Sequence, residues 1–150
     1  DSDLARCIDT RRSHTGFLYL LGSCPVSWES KQQTSVALSS MEAENMSACA
    51  CTQEGIWLKR LLEEFGCRFS APVTILEDNQ ACIFYSKNPG DHQRTKHIDQ
   101  KYHFVREQVE AGNVILRKIK TTDNLADLFT KPLPRNQFFN LVQHFMYYVN

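Results

Sequence analysis

The sequence predicts an α/β domain with a mixed sheet, antiparallel in its first strands and parallel later, flanked by helices. Three observations predict it. Two aromatic-rich, alternating runs sit either side of a two-residue turn, Gly22-Ser23. A long stretch with three- and four-residue apolar spacing follows them. Short apolar runs then alternate with further helical patterns, as parallel strands joined by helical crossovers require. At 150 residues the chain has the size of one domain with its own core, and 1–150 is read as one.

The opening Asp1-Ser2-Asp3-Leu4-Ala5 has no apolar strand ahead of it, which predicts a shortened first strand or a piece of something longer. His14 to Leu21 is aromatic and apolar and reads as a strand, and Cys24 to Ser30 reads as its antiparallel return. Pro25 suits the beginning or the edge of that return. Ser39 with Glu42 three residues later is a capping box opening a long helix. Ala43, Ser47, Ala50, Glu54, Trp57, Leu58, Leu61, Leu62 and Phe65 keep its period, which predicts a buried Trp57, and Gly66 offers the stop. The small residues Ala43, Ser47, Ala48 and Ala50 let its first half lie close to a sheet. Val73-Thr74-Ile75-Leu76 reads as a buried strand, followed by a short helix over Gln80 to Tyr85. Asn88-Pro89-Gly90-Asp91 breaks the chain, and Thr95 to Ala111 resumes as a helix closed by Gly112. Val114 to Lys120 is the last strand, Thr122-Asp123-Asn124 caps a short helix through Phe129, and a final amphipathic helix covers about 134–148.

Composition narrows the function classes only a little. Hydrophobic residues make up 42% and charged residues 23%, the balance of an ordinary globular protein. Lys plus Arg equals Asp plus Glu at 17 each, a neutrality that a basic face beside an acidic site can still satisfy. No apolar run is long enough to span a bilayer, and the N-terminus lacks a signal-peptide pattern. The six cysteines show no CxxC pair or zinc-ligand spacing, so they read as reduced core thiols of an intracellular protein.

Chemistry concentrates in four acids, each in a different local signal. Asp1 opens the chain, Glu44 lies early in the long helix, Asp78 ends an apolar strand, and Asp127 lies in the short late helix. Carboxylates drawn from separate elements are what a two-metal phosphodiesterase centre needs, because hard divalent cations take oxygen ligands and keep places for water and phosphate. Each acid has a plainer role available. Asp78 could cap the helix after it, Glu44 competes with the capping Glu42, and Asp127 could be a solvated helix residue with Asp123 as the cap. Asp3 competes with Asp1.

Four segments stand in one order: Ser39-Ser40-Met41-Glu42-Ala43-Glu44, Asp78-Asn79-Gln80, Arg94-Thr95-Lys96-His97-Ile98-Asp99, and Leu125-Ala126-Asp127-Leu128-Phe129-Thr130-Lys131-Pro132-Leu133. Together they resemble the ribonuclease H region of Copia-type LTR retrotransposon Pol polyproteins, from Asp1 to about Phe139. The resemblance implies a ribonuclease H-like fold with a mixed five-stranded sheet. It implies Asp1, Glu44, Asp78 and Asp127 as catalytic, metal-holding residues, with two Mg²⁺ (or Mn²⁺) as cofactors. The expected activity is hydrolysis of the RNA strand of an RNA–DNA hybrid, with Ser40 and Gln80 facing the substrate. Arg94 and Lys96, beside Lys31, Lys118 and Lys120, are candidate phosphate contacts. It further implies a reverse transcriptase domain of the same polyprotein as partner and a cytoplasmic setting in a virus-like particle. The alternative is a decayed or co-opted module that keeps the fold and binds nucleic acid or protein without cleavage.

Overall fold

A computed structural model of the chain describes residues 1–88 and 96–146, and of residues 96–98 the backbone alone. The N-terminal strand β1 is Ser2–Asp3, followed by β2 (His14–Leu21) and β3 (Cys24–Gln32). The hairpin is as expected. Leu21 pairs with Cys24 across Gly22-Ser23, and Gly22 takes the positive φ of 65° that a tight turn of this kind needs. A bulge between Tyr19 and Leu20 leaves Val26 unopposed, next to Pro25 on what is an edge strand.

Helix α1 (Ser40–Glu64) begins where the capping box places it. The Ser39 side chain accepts from the Glu42 N–H at 3.2 Å, but Glu42 reaches one residue further back than the usual pattern and accepts from the Leu38 N–H at 2.7 Å. Its first half is buried from Glu42 through Cys49. The second half departs from expectation, because Trp57 is 54% exposed. The reason is the face: Gly55 packs against Tyr19 and Val73, the head of β4 (Val73–Glu77), and Leu58 and Leu62 line a cavity with Tyr19, Leu20 and Leu21, whereas Trp57 lies two residues, about 200°, round the helix from Gly55.

Strand β4 pairs in parallel with β5 (Val114–Lys118) after a crossover through α2 (Gln80–Tyr85) and α3 (Lys96–Glu110). The main core lies here, where Cys49 of α1 meets Ile75, Ile83, Val105, Val114 and Leu116. The predicted start of α3 at Thr95 and the break at 89–91 lie outside the described residues. A 3-10 turn (Thr121–Asp123), α4 (Asp127–Thr130) and α5 (Arg135–Val142) are the last elements among the described residues. The expected single cap-and-helix over 122–129 is thus two pieces, joined at Asn124, whose Oδ1 accepts from the Ala126 N–H at 3.2 Å. Helix α5 ends before the expected 148, because the His144 and Phe145 N–H groups bond three residues back and tighten the last turn.

The five strands do not form one sheet. β1-β2-β3 is one antiparallel sheet and β4-β5 a separate parallel pair. β1 is paired with β2 alone, Ser2 opposite Thr15 and Asp3 opposite His14, and no ladder joins β1 to β4 among the described residues. A cavity of about 210 Å³ separates the edges of β2 and β4, lined by Phe17, Tyr19, Ile75 and Glu77 among others. From the sequence Trp28 reads as a core residue before a base-stacking platform, and the cysteines read as core thiols; both expectations change. Trp28 is 61% exposed, because it shares the face of β2 and β3 that carries Gly16 and Ser30, and one turn of α4 covers only their end of that face. Of the cysteines only Cys49 and Cys82 are buried, while Cys24 and Cys67 are exposed, and all six are free thiols.

Candidate metal centre

The site gathers where β1, α1, the end of β4 and α4 meet. Asp1 is fixed there by its backbone. Its nitrogen donates to the Gly16 carbonyl at 3.1 Å, and its carbonyl accepts from the Gly16 N–H at 3.0 Å and the Ser47 hydroxyl at 2.7 Å. Ser47 Oγ in turn accepts from the Thr15 hydroxyl at 3.0 Å, and Gln33 ties the same Thr15 to the Ala43 carbonyl. This buried polar network holds the small-residue half of α1 against β2 and sets Glu44 over the chain's first residue.

The turn after β4 shows why Asp78 is available. Asn79 takes the capping role, its Oδ1 accepting from the Cys82 N–H at 3.0 Å. Buried Glu77 accepts from the Asn79 N–H at 2.9 Å. The Asp78 carbonyl accepts from the Lys118 ammonium, which leaves its carboxylate free of both local tasks. Carboxylate oxygens of Asp1, Glu44 and Asp78 then lie within 4.8 Å of one another. Asp3 is not one of them; it pairs with Arg6 at 3.8 Å.

Asp127 does not join that trio. It is buried at the start of α4, and its Oδ1 lies 2.8 Å from the ammonium of Lys131, which also lies 3.6 Å from Asp1 Oδ1. The other oxygen of Asp1 accepts from the Thr130 hydroxyl. Sequence reasoning placed the four acids together; the structure brings three together and joins the fourth to Asp1 through a lysine. Lys131 and Thr130 stand in the quoted motif, and the four-residue step from Asp127 to Lys131 along a helix was the signal that could have found the pair.

Electrostatics follow from burial. Glu44 is pushed up to about 7, chiefly because burial disfavours its charge; the Asp1 ammonium 4.0 Å away pulls it down, while Glu77 and Asp78 push it up. Glu77 is raised mainly by burial as well. Burial raises Asp127, and the hydrogen bond and charge of Lys131 draw it back. Glu44 Oε2 is buried with no hydrogen-bond partner, and it belongs to an all-oxygen trio of excess negative charge. That donor set fits a hard divalent cation, which would satisfy the orphaned oxygen and offset the mutual repulsion.

The other candidates are scattered in kind. Ser40 and Gln80 are exposed first residues of α1 and α2. Lys31 and Lys120 are exposed, and Lys118 is occupied at Asp78. Arg94 lies outside the described residues, as do the side chains of Lys96 and His97.

No family model matches the chain, and no solved structure matches it. It is 46% identical over 138 residues to the retrovirus-related Pol polyprotein from transposon TNT 1-94 of Nicotiana tabacum, covering 92% of this chain and 10% of that polyprotein. The Pol polyproteins from transposons RE1 and RE2 of Arabidopsis thaliana are each 41% identical over 140 residues, 93% of this chain and 10% of theirs. The chain therefore spans about a tenth of the curated relatives it matches, and it aligns with one region of each of those transposon Pol polyproteins. Among the described residues no helix is long and apolar enough to cross a membrane.

Proposed function

We propose that this region is the ribonuclease H part of a Copia-type LTR retrotransposon Pol polyprotein, on a ribonuclease H-like fold, and that it hydrolyses the RNA strand of RNA–DNA hybrids during reverse transcription. The observation that carries the reading is the convergence of Asp1, Glu44 and Asp78 within 4.8 Å from three separate elements. Homology over nine-tenths of the chain to transposon Pol polyproteins supports it.

In this reading Asp1, Glu44 and Asp78 hold one Mg²⁺ or Mn²⁺, and Asp1 with Asp127 faces a second. What bound divalent cations supply in such a centre is a water of lowered pKa and charge stabilisation for the departing 3′ oxygen. The chain's own part is to fix the carboxylates: the Gly16 and Ser47 bonds clamp Asp1, and Asn79 relieves Asp78 of capping. Ser40 and Gln80 contact the minor groove of the hybrid, and Arg94, Lys96, Lys31 and Lys120 its phosphates. The partner in the polyprotein is a reverse transcriptase domain, and the setting a cytoplasmic virus-like particle.

The test is a labelled hybrid incubated with Mg²⁺. Wild type is expected to cut the RNA strand to 5′-phosphate and 3′-hydroxyl ends. Asp78→Asn is expected to lose on the order of a thousandfold in rate while keeping hybrid binding, since a metal ligand supplies several kcal/mol in the transition state and no phosphate contact is touched. Hybrid binding without any cleavage would leave the decayed or co-opted module; preference for duplex DNA would overturn the substrate.

A further inference from the structure

Asp1 and Asp127 share one ammonium. Both side chains are closed to solvent, at 2% and 1% exposure, and Lys131 lies 3.6 Å from the first and 2.8 Å from the second. Two buried carboxylates facing each other repel unless a cation sits between them, and here the chain itself provides one. The trio that excludes Asp127 is the geometric counterpart: with Lys131 in place, Asp127 is held with Lys131 and Asp1 instead of with Glu44 and Asp78.

We propose that Lys131 is a built-in cation that positions Asp1 and Asp127 and must swing away before a divalent cation is held between them. This rests on the reading of the site as a divalent-cation centre. Three features suit a movable cation. The Lys131 side chain keeps 29% exposure, so its ammonium has a path to water. Thr130 donates to the other oxygen of Asp1, and Arg6 donates to the Thr130 carbonyl, so the backbone beside Lys131 stays anchored while its side chain moves. Among the described residues Lys131 reaches the trio only at Asp1, 3.6 Å away, whereas it lies 2.8 Å from Asp127, so a first ion at the Glu44 and Asp78 end meets less competition than a second ion between Asp1 and Asp127.

The experiment is Mn²⁺ titration followed by the electron paramagnetic resonance of the free ion, on wild type, Lys131→Gln and Lys131→Arg. Wild type is expected to take one ion at least about tenfold more tightly than a second, and Lys131→Gln to gain about tenfold or more for the second ion. Lys131→Arg, which keeps the charge, is expected to follow wild type. Identical two-ion isotherms for all three proteins, or a Lys131→Gln chain that loses an ion, would overturn the assignment. Should Lys131→Gln not fold by circular dichroism, wild type labelled at lysine Cε decides. Its Lys131 resonance is expected to move with the second equivalent of diamagnetic Mg²⁺ and not the first, and a signal unmoved throughout overturns the proposal. Hybrid cleavage separates the two readings. Ordered uptake without cutting sinks the nuclease and leaves Lys131 standing; cutting with identical isotherms does the reverse, and no ion uptake at all removes both.

Discussion

Glu44 and Asp127 are both buried carboxylates, at 6% and 1% exposure, yet their surroundings balance charge by opposite means. Asp127 has a lysine four residues on, at 2.8 Å, and remains an ion-pair partner. Glu44 has one buried oxygen without a hydrogen bond, acidic neighbours, and a proton affinity pushed up to about 7. One pole of the site has a lysine at contact distance, while the other has only the Asp1 ammonium 4.0 Å from Glu44 against Glu77 and Asp78, so a proton or an external cation relieves it further. Residue type does not decide which fate a buried acid meets; its neighbours do.

The strongest way to break this contrast is to remove the internal cation. Lys131→Met is expected to lower unfolding stability by about 2–3 kcal/mol at pH 7 by urea denaturation. That is below the usual cost of orphaning a fully buried charge, because the lysine is partly exposed. An unchanged midpoint would mean the pair does not hold α4 in place.

Next comes the other pole, where the sign should reverse. The folded chain keeps the Glu44 proton between its ordinary 4.5 and about 7, while the unfolded chain has already released it. This group's contribution is therefore full below about pH 4.5, falls as pH rises to about 7, and is flat above, with a ceiling of about 3 kcal/mol. Glu44→Gln is expected to stabilise the metal-free chain by about 2 kcal/mol at pH 8 and to flatten that pH dependence. Added Mg²⁺ is expected to raise the melting temperature of wild type more at pH 8 than at pH 6, since below about 7 the ion must displace a proton. A loss of stability in Glu44→Gln at pH 8 would erase the distinction between the poles.

Smaller effects sharpen the picture. A Cβ at Gly16 would stand 2.6 Å from Thr130 Cγ2 and 2.9 Å from Phe129 Cβ, so Gly16→Ala should push α4, and Asp127 with it, off β2. A cost of about 1–2 kcal/mol is expected from thermal or urea unfolding. Trp57→Ser, on the outward face of α1, should change stability by less than about 0.5 kcal/mol. A large loss there would mean that face is packed.

Local patterns made much of this molecule legible. The Gly22-Ser23 hairpin, the Ser39 cap, the Gly66 stop and the run Val73 to Leu76 rest on backbone preferences and on periodicity, which a sequence displays directly. So does the order of the four acids. Tertiary structure alone decided the rest, because it depends on what lies across space from each residue. It separated the strands into two sheets, with β1 paired to β2 alone and β4 to β5. It left Trp28 and Trp57 in solvent, because one turn of α4 does not reach the first and the second lies on the face of α1 turned away from Tyr19 and Val73. It gave capping to Asn79, freeing Asp78, and it placed Lys131 between Asp1 and Asp127. Periodicity tells which side chains share a face; only the packed chain tells which charges are close enough, and dry enough, to need one another.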